Sequence, residues 1–507
     1  MATRPGTAGR LAWLDALRGF AALCVVFDHG SWLLLTPVRD FLYQWFNPGE
    51  YGVFVFFLVS GYIVPASLER KGSIKTFWTS RAFRLYPMYA VAVVLAGVAF
   101  LTRHGTIGGA EHHPVTAVFS WLLMLPNLLT GPDVPNVTWT LSYEMVFYLL
   151  LAALFSWNIH RYSRGYALTF AIAAVVIGGM FPMTALTRWA AHYGYGWLTL
   201  DAIADALIIA GIALAITDKR RPARIGASIA ALTGLVLVSI NQDYPYPWSG
   251  CVILALMFTG TVIYRAEQGQ AGKATAAAVV AAVLALTTTA GLWNGRHASV
   301  QWQYQWASSI LLAAATFGIG MAVRHRKIPR AAAWLGVISY SVYLLHPLIF
   351  NAFRSIHALH RKFPMPVQIG LFAALVAVIV AASAVTYYVV EKPMQRLGRW
   401  LAGRGAAGRG VAGREVAGRE VAGREVAGRE TAGSGVVGSG AIGREVADTG
   451  TADSGAVGSA SYATGVGSGA GERAGAGERA DADGVSIATA RSTSSSSAVA
   501  GGSGGSP

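Results

Sequence analysis

Apolar runs long enough to cross a bilayer recur from residue 11 to about residue 390 and then stop. About 20 apolar residues suffice for a span. Stretches of this kind fall at 11–35, 52–68, 85–101, 139–157, 166–181, 200–217, 225–240, 249–264, 275–292, 304–323, 331–353 and 368–390. One further apolar stretch, 115–129, is short and broken by Pro126 and Asn127. It is expected to sit at membrane depth without crossing, its backbone covered by protein. The pattern predicts an all-α integral membrane protein, a polytopic bundle of about 10–12 transmembrane helices. From Gly403 the unit GREVA repeats with a period of five and then gives way to Gly, Ser, Ala and Thr. Five matches neither the helical nor the strand period, and a Gly in every unit opposes both, so a disordered tail is expected. The chain therefore divides into an N-terminal segment (1–10), a transmembrane domain (11–400) and a low-complexity tail (401–507).

Charge sets the expected topology. The mean hydropathy is +0.46, charged residues make up only 13% of the chain, and the net charge is +15. Much of that charge sits in short connections, where the positive-inside rule places it, so it is no nucleic-acid signal. Arg4 and Arg10 put the N-terminus inside, and the poorly basic 36–51 loop falls outside. Arg70, Lys71, Lys75, Arg81 and Arg84 mark the next inner loop. Basic loops at 160–164, 219–224, 265–273 and 324–330 then alternate with poorly basic ones near Arg188, Asp243 and Arg296. The basic 354–362 loop breaks the alternation. The expectation is a multi-pass protein of the cell membrane with both termini cytoplasmic, the first span serving as its own uncleaved insertion signal. The two cysteines, Cys24 and Cys251, both lie in expected spans and suggest neither a disulfide framework nor a metal cluster.

Candidate chemistry starts in the first span, LAWLDALRGFAALCVVFDHGSWLLL, which carries Asp15, Arg18, Asp28 and His29. Ionisable groups inside a span are costly and usually face a bundle interior or a wet cavity. Arg18, Ala22, Val25 and His29 share one helical face, with Arg18 and His29 roughly 16 Å apart along the axis. A buried Arg–Asp pair and a hydrogen-bonded core histidine would account for the same residues structurally. Other motifs follow. GVFVFFLVSGY (52–62) ends in small residues that allow close helix approach. RAFRLYPMY (81–89) places Arg81 and Arg84 on one face, a pair able to grip phosphates or simply to mark topology, followed by Tyr89. WTLSYEMVFY (139–148) puts Glu144 about two turns into apolar sequence, with Trp139 before it and Tyr148 one turn below. SYSVYLLHP (339–347) aligns Ser339, Tyr343 and His346 in one stripe, and VEKPMQRL (390–397) closes the series with Glu391.

These motifs, in this order across residues 11–396, resemble acyltransferase family 3, the polytopic membrane O-acyltransferases. An Arg, ten residues and a His in the first span, preceded by LDALRG, resemble the family's opening motif. Many relatives carry an Asp where this chain has Phe54, so a polar role there is lost. The tail has no counterpart in the family. The resemblance implies an acyl-CoA-dependent O-acyltransferase moving an acyl group, acetyl foremost, to a hydroxyl of a glycan, a lipid-linked glycan or a secondary metabolite. It implies catalytic roles for His29, Arg18 and Glu144, with His29 as general base, or as the site of an acyl-His intermediate, and Glu144 orienting it. Arg81, Arg84 and Tyr89 would bind the donor, and Asp15, Trp139, Tyr148, Tyr343 and His346 would line the substrate path. No metal and no bound cofactor are expected; acyl-CoA is a co-substrate. The partners are that donor, a hydroxyl-bearing acceptor and the bilayer, with no nucleic acid. Buried Arg, Glu and His also build proton relays, so a proton-coupled transporter or exporter is the competing class, with a membrane scaffold a third.

Overall fold

The structure, a computed structural model, describes residues 12–104, 114–129, 131, 133–194, 196–354 and 363–402. The expected N-terminal segment, residues 355–362 and the GREVA tail lie outside these. Among the described residues the protein is helical throughout, with no strand. Ten helices are long and apolar enough to cross a membrane. They are α1 (Ala12–Leu34), α3 (Pro48–Lys71), α4 (Ile74–His104), α6 (Trp139–Ser156), α10 (Arg220–Ile240), α11 (Ser249–Glu267), α12 (Lys273–Asn294), α13 (Val300–Val323), α14 (Arg330–Ala352) and α15 (Met365–Ala402). Shorter or less central helices fill the gaps: α2 (Thr36–Leu42), α5 (Pro114–Leu122), α7 (Ser163–Val176), α8 (Ala185–His192) and α9 (Trp197–Ala215).

Two departures from the sequence reading, and one agreement with it at the 115–129 stretch, bear on the site. Only Gly72 and Ser73 separate α3 from α4, so Lys75, Arg81 and Arg84 belong to a helix and not to a loop. Gly72 makes the tight link possible: it takes the left-handed conformation (φ +62°) and its N–H caps the Leu68 carbonyl at 3.0 Å. The stretches at 166–181 and 200–217 form α7 and α9, which are not among the ten spans; α7 is only 14 residues long. The 115–129 stretch forms a nine-residue helix, about 14 Å long, and then turns at Met124 (φ +57°). It therefore cannot cross. Its Asn127 is buried and its amide donates to the Tyr143 hydroxyl (3.2 Å) and the Tyr244 carbonyl (2.9 Å).

Two glycine crossings set the bundle's interior. A Cβ on Gly336 of α14 would lie 1.7 Å from the Asp15 carbonyl oxygen of α1, and one on Gly19 would lie 2.7 Å from the Gly336 nitrogen. Likewise a Cβ on Gly61 of α3 would lie 1.8 Å from the Met257 oxygen of α11, and one on Gly260 2.3 Å from the Leu58 oxygen. The Thr261 hydroxyl donates to the Gly61 carbonyl at 2.8 Å across this crossing. Lipid tails are as apolar as leucine, so helix association in a membrane rests on such close packing and on interhelical hydrogen bonds. The α3–α11 pair is central, whereas α15 is peripheral: 83% of the apolar window of α11 is buried, against 17% for α15.

Gly336→Ala should therefore destabilise the fold markedly. Overpacking typically costs about 1–3 kcal/mol, and here the clash is with backbone that cannot swing away. Gly318→Ala, on α13 with no atom within 4 Å of the added methyl, should be neutral or slightly stabilising. Thermal unfolding midpoints in detergent check the pair; equal midpoints would show that the α1–α14 crossing tolerates a spacer.

Candidate active site

Two cavities lie inside the bundle. The first, with an empty volume of about 750 Å³, is lined by Arg18 of α1, Ser60 of α3, Arg81 and Arg84 of α4, and Glu144 of α6, among apolar side chains. Two turns of α4 separate Ile74 from Arg81, which carries the guanidinium groups into the bundle. The Arg81 guanidinium carbon lies 5.2 Å from the Tyr148 ring centroid and 5.5 Å from that of Phe77. Its Nε is buried with no hydrogen-bond partner. Among the described residues none of the three arginines forms a salt bridge; the salt bridges present join other residues. Asp15, Glu144 and Glu391 lie within Coulombic range of Arg18. Yet Glu144 is held by donors of its own, the hydroxyls of Ser60 (3.2 Å) and Tyr148 (2.5 Å). Glu391, at the end of a π-helical turn (Tyr387–Glu391), accepts from the Ser341 hydroxyl. Three cations thus converge on one space, and of the acids around them Glu144 and Glu391 also accept hydroxyl hydrogen bonds.

The second cavity has an empty volume of about 1060 Å³ and holds His29. Its polar wall comes from Asp28, Glu50, Asp133 and Asp243, and its aromatic wall from Tyr43, Trp139, Tyr244 and Tyr246. Asp28 accepts from the Tyr43 hydroxyl at 2.5 Å. Asp133, in the connection before α6, accepts from the Thr138 amide at 3.0 Å and from its hydroxyl. Burial nevertheless pushes the Asp133 carboxyl up to about 6, with nearby Asp243 adding to the rise against those hydrogen bonds. Val53 and Tyr343 line both cavities. The Tyr343 hydroxyl donates to the Val137 carbonyl (3.2 Å) and accepts from Thr140 (2.9 Å), which fixes the ring in the dividing wall.

The histidine is held by a second histidine. His29 Nδ1 lies 2.8 Å from His346 Nε2, and His346 Nδ1 lies 3.1 Å from the Val342 carbonyl oxygen. A carbonyl can only accept, so His346 Nδ1 carries the proton and its Nε2 is the acceptor. His29 then donates from Nδ1, and its own Nε2 keeps a free lone pair. The rings are stacked, with centroids 5.0 Å apart and planes 30° from parallel. His346 is fully buried.

The sequence reading placed Glu144 beside His29. The structure does not bring them together, because Glu144 is turned into the arginine cavity, where Ser60 and Tyr148 hold it. It does unite Arg18, Arg81, Arg84 and Glu144, and it puts Trp139 and His29 on the other cavity. Tyr148 supports Arg81 and Glu144 from behind, and Tyr343 stands between the cavities. Tyr89 is buried in the core, does not line the arginine cavity, and has no hydrogen-bond partner for its hydroxyl. The Asp15 backbone meets Gly336 at the α1–α14 crossing, and its carboxylate, within Coulombic range of Arg18, lines neither cavity. The sequence reading did not single out Glu50, Asp133 or Tyr244. Each lies in or beside a connection, and only their convergence on one cavity gives them meaning; the poverty of those connections in Lys and Arg was the one available signal.

Comparisons with known proteins agree on the chain's kin. A family profile described as an acyltransferase domain matches residues 11–388. Nodulation protein 10 of Rhizobium leguminosarum bv. viciae is 33% identical over 184 residues, 32% of this chain and 48% of that protein. Acyltransferase MdmB of Streptomyces mycarofaciens is 33% identical over 149 residues, 28% of this chain and 38% of the relative. O-acetyltransferase OatA of Staphylococcus aureus is 26% identical over 167 residues, 30% of this chain and 26% of the relative. The chain thus spans half or less of the length of each of these relatives. No solved structure matches it.

The Glu144 cluster makes a prediction that needs no assay of activity. Tyr148→Phe keeps the ring beside Arg81 but removes the donor to Glu144, and hydrogen bonds to charged groups are worth about 1.5–3 kcal/mol. Unfolding in detergent should show a loss of that order for Tyr148→Phe. The loss should shrink in a Glu144→Gln background, because the two changes share one interaction. Strictly additive losses would mean that the bond contributes nothing.

Proposed function

The chain belongs to acyltransferase family 3, and on that premise we propose that it is a membrane O-acyltransferase taking acyl groups from acyl-CoA. The observation that carries the reading is the arginine cavity: three guanidinium groups without a salt bridge, one with a buried Nε lacking a partner. Guanidinium groups bind phosphates bidentately, and coenzyme A carries a pyrophosphate and a 3′-phosphate. Lys71, Lys75, Arg265 and Arg324 sit at the helix ends on the arginine side, which supports a cytoplasmic mouth for this cavity. The pantetheine arm would run along the apolar wall of the cavity toward Tyr343. The acceptor would enter the histidine cavity from the other side of the membrane.

The chemistry then falls at the dividing wall. The free Nε2 of His29 takes the proton of the acceptor hydroxyl as that oxygen attacks the thioester carbonyl carbon. The tetrahedral oxyanion collapses, the C–S bond breaks, and the CoA thiolate leaves and is protonated. His346 Nε2 keeps accepting from His29 Nδ1 in the imidazolium form, the positioning role that the sequence reading gave to Glu144. Arg18 contributes a positive field toward the oxyanion and the donor. An exporter could use the same two cavities; the family and the unpaired arginines favour transfer.

With full-length protein in proteoliposomes and labelled acetyl-CoA, His29→Ala should lower transfer about 10²–10⁴-fold, the usual reach of general-base help. Turnover like wild type would remove His29 from the mechanism. Arg81→Ala combined with Arg84→Ala should raise the KM for acetyl-CoA at least about tenfold, as loss of charge-assisted contacts to phosphate requires; an unchanged KM would reduce those arginines to topology signals. His346→Ala should lower kcat while leaving that KM alone, and His346→Gln, whose amide can still accept from His29, should recover part of the rate. Equal rates for the two variants would deny His346 a positioning role.

A further inference from the structure

A third space opens at the basic end of the bundle, away from the two cavities. It is a pocket with an empty volume of about 1060 Å³ between the α3–α4 link, the end of α6 and the start of α10. Lys75, Arg220 and Arg224 line it against one carboxylate, Asp218, so three positive charges against one negative leave a net +2 on this wall. Among the described residues none of the three cations forms a salt bridge. Arg224 is fixed in place: its Nε donates to the Ser156 carbonyl at 3.0 Å, and its guanidinium carbon lies 5.1 Å from the Trp157 ring centroid. Trp157 is half exposed, as an aromatic ring at the membrane–water interface would be. Helix α10 starts after Lys219 with no side-chain cap, so its first-turn amides add to the positive field. An apolar groove continues from the pocket. It has an empty volume of about 1110 Å³ and runs between α4 and α9. Lys75 and Ile216 line both spaces, which makes them continuous. Past Lys75 the lining carries no charge; Trp78, Ala82 and Tyr86 form the α4 wall, and Ile212 and Ile208 the α9 wall. From Lys75 to Tyr86 the helix rises about 16 Å, the depth of one leaflet of a hydrocarbon core about 30 Å thick. The hydroxyls of Thr79 and Tyr86 are occupied by the Lys75 and Leu122 carbonyls. Trp78 Nε1, in contrast, is buried and has no hydrogen-bond partner among the described residues, a state that is costly unless an acceptor arrives from outside.

We propose that pocket and groove together bind an anionic glycerophospholipid of the surrounding bilayer. Its phosphodiester headgroup sits among Lys75, Arg220 and Arg224, one of its ester carbonyls accepts from Trp78 Nε1, and an acyl chain lies between α4 and α9. The features met along α4, a cation, then a lone donor, then an apolar wall, follow the order of phosphate, ester and chain in such a lipid. Basic pockets between membrane helices take up anionic headgroups, whereas the ammonium of a choline headgroup meets a net positive wall and is disfavoured. Trp78 packs edge to face on Tyr148, with centroids 6.4 Å apart, and Tyr148 backs Arg81. The lipid thus braces the layer behind the arginine cavity. The proposal does not depend on the acyl-transfer reading.

Lipid binding tests this without an assay of activity. Full-length, delipidated protein in detergent is titrated with dioleoyl phosphatidylglycerol, with dioleoyl phosphatidylcholine and with glycerol 3-phosphate, a headgroup without chains, and the bound molecules are counted by native mass spectrometry. Phosphatidylglycerol should bind at least about tenfold more tightly than phosphatidylcholine, as several basic residues at one headgroup require, and glycerol 3-phosphate should not bind in the same range. Arg220→Gln with Arg224→Gln should abolish the preference. Lys75→Gln with Arg220→Gln, both at exposed positions, carries the same test should the first pair fail to fold. Ile212→Trp, which fills the groove, should weaken phosphatidylglycerol binding about tenfold, because the chain loses its apolar contacts. Equal binding of the two lipids, a preference that survives removal of the cations, or unchanged binding in Ile212→Trp would each overturn the inference. Glycerol 3-phosphate binding as tightly as the lipid would make the pocket a free-phosphate site and overturn it as well.

Discussion

Ionised side chains cannot rest in hydrocarbon, and the organisation of this bundle follows from that constraint. Helix α1 carries Arg18 and His29 about three turns apart, and each must face a space that the surrounding helices leave open. The α1–α14 crossing at Gly19 and Gly336 and the α3–α11 crossing at Gly61 and Gly260 bring backbones into contact. Those contacts leave the remaining faces of α1, α3 and α14 to enclose two cavities. The polar groups are thus solvated by cavities and by one another, while the outer faces of α4, α12, α13 and α15 meet the lipid.

The two cavities are electrostatically distinct, and the division is sharp because a single layer separates them. Val53 and Tyr343 belong to both walls, and Tyr343 is pinned through Thr140 and the Val137 carbonyl. On one side three guanidinium groups face apolar side chains; on the other an imidazole faces carboxylates and aromatic rings. On the acyl-transfer reading proposed above, the donor and the acceptor would differ in the same sense: one polyanionic with a long neutral arm, the other compact and polar.

Several parts of this were legible in the residue order. The apolar runs gave the helices and the short, broken 115–129 stretch, because span length is a direct consequence of bilayer thickness. The eleven-residue interval from Arg18 to His29 placed both on one face, and they do line cavities. The Arg81–Arg84 spacing likewise put both into one cavity. What residue order does not give is the depth of the two arginines and the azimuth of Glu144. Charge taken as a loop signal assigns Arg81 and Arg84 to a connection, whereas α4 begins at Ile74 and carries them inside. Counting turns from a span end puts Glu144 at the depth of His29. Counting along the axis gives height without azimuth, and the azimuth turns Glu144 toward Ser60 and Tyr148.

Residue order alone determined the helical class, the family resemblance and the identity of the ionisable groups, since bilayer thickness and helical period act within one segment. The pairing of those groups was decided only by tertiary structure. His346 lies 317 positions from His29, and no local rule joins two residues so far apart. Their meeting at 2.8 Å depends on the glycine crossing that presses α14 against α1. The acidic wall arises in the same way: Asp28, Glu50, Asp133 and Asp243 come from four separate stretches, and only packing places them around one space.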